Sequence, residues 1–377
     1  MRTVRNSKAI LTAAVLFALL FSSSPASGQT LARRGQDAPQ TGGGLVRIPN
    51  RASTPLFTGK QGPQKTEIRY DPATRLVTLK LLVQDPNGYF IPNIRRENFV
   101  VYENGVRQQL SSVDVEDAPA SVGVLLEFGG RYLPLNRLLA VETPRAAQQF
   151  VDAMTRQDSA AIWRYASKLE MVSDFSQDRD TLSTRILTMT GPEFSETNLF
   201  DAVIGTIDQM RRIKGRKAIL LISSGIDTFS KATRDQALNA AQASDSPIYA
   251  LGLSSYLRQI TSMENSGEPT AKIDWRAAES NLSELAKASG GRTYLPQSTV
   301  DLSPIYSDIL ENLKVRYVIT YRSLTDADLN SPRTVRVDLV NSPTGGPLQI
   351  VDTSGRKIYA QVVLQQSYIP AQATAKH

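Results

Sequence analysis

The sequence predicts an α/β fold: a doubly wound, mostly parallel sheet with helices on both faces, flanked by small β-segments at both ends. Three observations predict it. Ser121 to Leu126 and Ala218 to Ile222 are continuous apolar runs, the pattern of strands buried on both faces, and Ala160 to Tyr165 and Pro247 to Leu253 read as strands beside them. Stretches with apolar residues at helical spacing lie between them, so strands and helices alternate. Segments rich in β-formers and punctuated by turn residues precede and follow this core.

The elements follow in chain order. Arg2, Arg5 and Lys8 form a positive start, Ala9 to Phe21 is apolar, and Ala26-Ser27-Gly28 fits a small-residue cleavage site before Gln29. This is the three-part pattern of a secretory signal peptide over residues 1–28. The competing reading, an uncleaved anchor, meets an apolar run shorter than the ~20 residues that span a bilayer. Residues 29–66 are rich in Gly, Pro, Thr and Gln and read as a flexible linker. Residues 67–118 read as a β-subdomain: Leu76 to Val83 ends at the turn Asp85-Pro86-Asn87-Gly88, and Asn104-Gly105 marks a hairpin.

Residues 119–316 are the alternating region. Helices are expected at Pro144 to Met154, Asp178 to Leu187, Leu199 to Ile213, Thr233 to Ala243, Ala278 to Ala288 and Pro304 to Leu313. The stretch Ser254 to Asp274 is polar and reads as an irregular surface excursion. Residues 317–377 are expected to return to strands at Tyr317 to Tyr321, Thr334 to Val340 and Ile358 to Leu364, and then a tail.

Composition removes several functions. There is no cysteine, so disulfides, thiolate metal sites and cysteine nucleophiles are absent. The one histidine is the C-terminal His377, which argues against a Ser-His-Asp triad or a histidine-bound zinc. The net charge is +7. Loss of Arg2, Arg5 and Lys8 with a signal peptide leaves +4, too weak a balance to argue for nucleic acid. No phosphate-binding loop, dinucleotide fingerprint or nucleophile elbow is present.

Several segments resemble von Willebrand factor type A domains. Ser121-Val-Gly-Val-Leu-Leu-Glu127-Phe-Gly-Gly-Arg131 is similar to that family's first strand and metal loop. Thr197-Asn-Leu-Phe-Asp201 is similar to its threonine loop, and Lys217 to Ser224-Gly225-Ile-Asp227 to its central strand and acidic loop. Ile248 to Gly252 and Leu285 to Gly291 fit later elements. The flanking β-segments, with Glu97 to Gly105, look like a secreted bacterial subfamily of acidobacterial type. The resemblance spans residues 67 to about 365. It implies a ligand face at the carboxyl ends of the parallel strands. It also implies a divalent-cation site built from Asp-x-Ser-x-Ser, a Thr and an Asp, often completed by a partner protein's carboxylate.

This chain departs from that site. Glu127 replaces the Asp, Gly129 and Arg131 replace the two serines, Thr197 is kept, and Ser224 replaces the last Asp. Mg²⁺ wants near-octahedral oxygen ligation, and Arg131 brings a positive charge instead. The site is therefore expected to be degenerate and without a metal. Two readings of Arg131 stand: its guanidinium pairs with Glu127 in place of the ion, or it points to solvent. If an ion (Mg²⁺ or Mn²⁺) does bind, Glu127, Thr197 and Asp227 are its expected ligands. The competing reading has Asp227 and Ser230 shape a loop or cap the following helix, and gives Asp201 to the first turn of its own helix. Asp352 to Arg356 resembles the metal motif but reads as a turn.

The expected function is a non-catalytic protein-binding scaffold with no cofactor. It is exported to the periplasm or beyond and has no membrane span once the signal is cleaved. Its binding face is the loop set of Glu127, Gly129, Arg131, Thr197 and Ser224. The alternative is a divalent-cation-dependent adhesion protein with an unorthodox metal site.

Overall fold

The computed structural model describes residues 44–49, 57–58, 66–130, 133–189, 195–263, 273–300, 302–325 and 328–373. The signal-peptide pattern, most of the expected linker, and Arg131 lie outside them.

The first β-region comprises β1 (Leu45–Ile48), β2 (Glu67–Asp71), β3 (Leu76–Gln84), β4 (Phe99–Glu103), β5 (Val106–Gln108) and β6 (Leu110–Asp117). The alternating region begins with β7 (Ala120–Glu127), α1 (Leu133–Ala153), β8 (Ser159–Tyr165), β9 (Leu169–Ser176), α2 (Arg179–Leu187) and α3 (Leu199–Met210). It continues with β10 (Arg216–Ser223), α4 (Arg234–Ala243), β11 (Ile248–Gly252), α5 (Ser254–Met263), α6 (Trp275–Ser289), β12 (Thr293–Tyr294) and α7 (Ser303–Lys314). The chain then returns to strands: β13 (Val315–Arg322), β14 (Arg333–Leu339), β15 (Gln349–Asp352), β16 (Lys357–Ile358), β17 (Gln361–Val363) and β18 (Ser367–Tyr368).

The central sheet runs β12-β11-β10-β7-β8-β9, parallel except for the edge strand β9. Side chains of a strand alternate between its faces, which explains why these strands are apolar throughout. Val122, Val124, Leu126, Leu220 and Ile222 pack under α1, α2, α5 and α7. Leu125, Trp163, Ile219 and Leu221 pack on the other face under α3, α4 and α6. Each fully buried aliphatic side chain contributes roughly 1.5–3 kcal/mol, so two filled faces make this the main apolar core. The fold is the doubly wound α/β sheet that the apolar runs predict.

The two β-regions pack together. β13 lies antiparallel between β3 and β6, although more than 190 residues separate it from either. β14 pairs with β4 and with β18, and β17 pairs with β3. Val77, Leu79, Leu81, Phe99, Tyr317, Ile319 and Tyr321 fill their shared interior.

Some expectations need correction. The linker is not unstructured throughout: β1 pairs in parallel with β15, and the Thr58 amide donates to the Thr293 carbonyl at 2.7 Å. Helix α1 begins at Leu133 rather than Pro144, and Pro144 sits inside it. Proline favours the first turn of a helix, which made Pro144 read as a start; the buried Leu135 and Leu139 carry the apolar face further back. The expected excursion from Ser254 begins as the helix α5. The expected strand Ile358 to Leu364 is two short strands, β16 on β15 and β17 on β3.

Buried polar contacts join the central sheet to the β-regions. Arg292, fully buried beside β12, pairs with Asp308 of α7 at 2.8 Å. It also donates to Asn312 at 2.7 Å and to the carbonyl of Gly88 in the first β-region. Its guanidinium lies 4.7 Å from the centre of the Phe57 ring.

Candidate binding face at the carboxyl ends of the central strands

Parallel pairing brings the carboxyl ends of β7, β8 and β10 to one edge of the sheet, at Glu127, Tyr165 and Ser223. Glu127 is only 1% exposed. Its Oε2 accepts from Ser223 Oγ at 2.8 Å and from the Ser224 amide at 2.6 Å. Its Oε1 accepts from Ser224 Oγ at 2.8 Å. Tyr165 Oη lies 3.5 Å from Oε2 and 2.9 Å from Ser223 Oγ. Burial pushes the Glu127 carboxyl up to about 7 despite these donors. Burial and the neighbouring Glu127 raise the Tyr165 hydroxyl well above its ordinary value.

The second loop is tied to the third. Thr197 is 1% exposed. Its amide donates to Thr228 Oγ1 at 2.8 Å, and the Thr228 amide returns a bond to the Thr197 carbonyl at 2.8 Å. Gly129 sits in a space that Thr197 closes. A Cβ there would lie 2.6 Å from the Glu196 carbonyl oxygen and 2.7 Å from Thr197 Oγ1. The loop thus has no room for the hydroxyl residue that the family's motif places at this position. Gly225 turns the third loop at φ +85, where a Cβ would meet the Ala278 carbonyl at 2.2 Å.

Asp227 and Ser230 serve the helix before them in the chain. The Phe200 amide donates to Asp227 Oδ1 at 3.3 Å and to Ser230 Oγ at 3.1 Å, and Ser230 Oγ donates to Asp227. These bonds satisfy free amides in the first turn of α3, whose own cap residue Asn198 makes no side-chain cap bond. The expected cap of the following helix is made instead by Thr233, which accepts from the Gln236 amide in a capping box at α4. Asp201 lies in the first turn of α3, and its carboxylate accepts the amides of Lys231 at 2.9 Å and Ala232 at 2.8 Å. Asp352 shapes the turn after β15, accepting the amides of Ser354 and Arg356.

The face thus brings together Glu127, Gly129, Thr197 and Ser224, with Asp227 committed to the start of α3; Arg131 lies outside the described residues. Tyr165 and Ser223 belong to the site and were not singled out from sequence. Ser223 was visible in the Ser223-Ser224-Gly225 run, whereas Tyr165 looked like one more core aromatic on an apolar strand.

These residues do not fit a divalent cation. Both Glu127 oxygens already accept protein hydrogens, Gly129 offers no ligand, and the Asp227 carboxylate serves backbone and Ser230. Among the described residues, no three His, Cys, Asp or Glu side chains are grouped to hold a metal. Mg²⁺ needs near-octahedral oxygen ligands free to coordinate it.

No protein-family profile matches the chain, and no curated protein sequence does. Solved structures show distant likeness. A von Willebrand factor type A protein from Catenulispora acidiphila is 10% identical, with a TM-score of 0.39 over 77% of this chain and 78% of that one. The vWF domain of the type V pili tip protein Mfa5 from Porphyromonas gingivalis is 13% identical, with a TM-score of 0.39 over 51% of this chain and 94% of that one. The conserved hypothetical protein BatB from Bacteroides thetaiotaomicron is 15% identical, with a TM-score of 0.40 over 51% and 98%. At identities and TM-scores this low, the likenesses settle nothing about what this chain binds.

Proposed function

We propose that the protein is a non-catalytic, extracytoplasmic scaffold that binds another protein through this loop face without a metal ion. The observation that carries the reading is the Glu127 carboxyl group, both of whose oxygens are engaged by Ser223 and Ser224 where the resembling family's motif would offer a ligand to an ion. The loops beside it are pre-organised for docking. Phe229 is 73% exposed, and its neighbours are all bonded to the segment from Thr197 to Asp201: Asp227, Thr228 and Ser230 on either side, then Lys231 and Ala232. An exposed aromatic on a backbone tied down on both sides can anchor a partner without a large cost in backbone ordering. The signal-peptide pattern supports export. Among the described residues, no helix is long and apolar enough to cross a membrane.

The test is affinity capture from envelope and culture fractions with the immobilised chain, in chelator and in Mg²⁺. The expected result is a partner retained in chelator and lost with Phe229→Asp, a variant that leaves the melting temperature unchanged. Capture that requires Mg²⁺, or that ignores Phe229→Asp, contradicts the proposal.

A further inference from the structure

An ion site has a positive centre ringed by acceptors; the Glu127 site is its inverse. The centre is the Glu127 carboxyl group, and the ring is made of donors: Ser223 O–H, Ser224 N–H and Ser224 O–H. Because the Ser223 proton goes to Glu127, Tyr165 donates to Ser223 Oγ at 2.9 Å. That bond joins β8 to β10 across the intervening strand β7, whose last residue is Glu127. No backbone ladder can make this link, since β8 and β10 are not neighbours in the sheet.

The ordering extends outward from this centre. Ser223 Oγ accepts the Gly225 amide at 2.9 Å, and Ser224 Oγ accepts the Ile226 amide at 3.2 Å. These bonds set the turn of the third loop, and Thr228 ties that loop to Thr197. Glu127, Tyr165, Ser223 and Ser224 are all buried, where hydrogen bonds to a polar centre are strong and an unmade one is costly.

We infer that Tyr165, Ser223 and Ser224 take the structural place of a bound cation, cross-bracing the ends of β7, β8 and β10 so that the loop face is set in one conformation without an ion. Tyr165 and Ser223 are positioning residues: they act through Glu127 and the third loop rather than by touching a partner. The inference rests on the metal-free reading of the face.

The test is amide hydrogen exchange on the chain from Gln29 onward and on its Tyr165→Phe and Ser223→Ala variants, each with and without millimolar Mg²⁺. The expected result is exchange across residues 224–228 about tenfold faster in both variants, the scale of one lost buried hydrogen bond. Exchange in the β-regions should stay unchanged, and the wild-type loops should be indifferent to Mg²⁺. Unaltered loop exchange in both variants, or Mg²⁺ slowing it in the wild type, overturns the inference. Tyr165→Phe removes one oxygen and keeps the core filled, so it gives the answer even if Ser223→Ala does not fold. Failure to capture a partner would sink the binding proposal and leave this exchange pattern standing.

Discussion

Glu127 sits at the end of an apolar strand, buried, with its carboxyl held near a pKa of about 7 against an ordinary 4.5. The raised value means the folded state holds a proton that the unfolded state has released. Its contribution to stability is therefore complete below about pH 4.5 and is lost as pH rises through about 7. A shift of this size corresponds to roughly 3 kcal/mol. Glu127→Gln keeps an acceptor for Ser223 and the Ser224 amide and cannot ionise. It should flatten the pH dependence of unfolding between about 4.5 and 7 and match or exceed the wild type above that range. An unchanged slope in urea melts across that range would show that Glu127 is not the group responsible. From sequence, the departures from the metal motif that the chain resembles, at Gly129, Arg131 and Ser224, were legible, because each is a difference of side-chain chemistry. The Tyr165 contact was not: it depends on the register of β8 against β7, which no local pattern encodes.

At the scale of elements, α3 begins with help from elsewhere in the chain. Asp227 and Ser230 supply its cap, so the third loop holds the second in place. Asp227→Ala should cost about 1 kcal/mol in thermal or urea melts, the usual worth of a cap, and leave any response to Mg²⁺ as in the wild type. A variant as stable as the wild type would contradict the capping role. The central strands and most helices were legible because a strand buried on both faces must be apolar throughout and its covering helices must be amphipathic. Boundaries were harder where one residue carries two meanings, as Pro144 does: good at a helix start, yet tolerated here inside α1 by packing on both sides of it.

Over the whole molecule, the least legible feature was the joining of the two β-regions. Alternation in β13 says that one face is buried but not that β3 and β6 are its neighbours. Arg292 ties this unit to the central sheet through Asp308, Asn312 and Gly88, and Gln84 of β3 also reaches Asn312 at 2.7 Å. Arg292→Met leaves Asp308 buried without its cation. It should cost about 3–5 kcal/mol and separate the melting of the β-regions from that of the sheet in calorimetry. A loss near zero, or a single undisturbed transition, would contradict the coupling.

The central claim is that the loop face works without an ion. Calorimetric titration of the chain from Gln29 onward with Mg²⁺ and Mn²⁺, with thermal melts alongside, tests it most directly, since any ligand selective for the folded state must raise the melting temperature. No heat and no shift at millimolar ion is the predicted result. A saturable heat with a rise in melting temperature would contradict it, and would point to Glu127, Thr197 and Asp227 as ligands of an ion-dependent adhesion site.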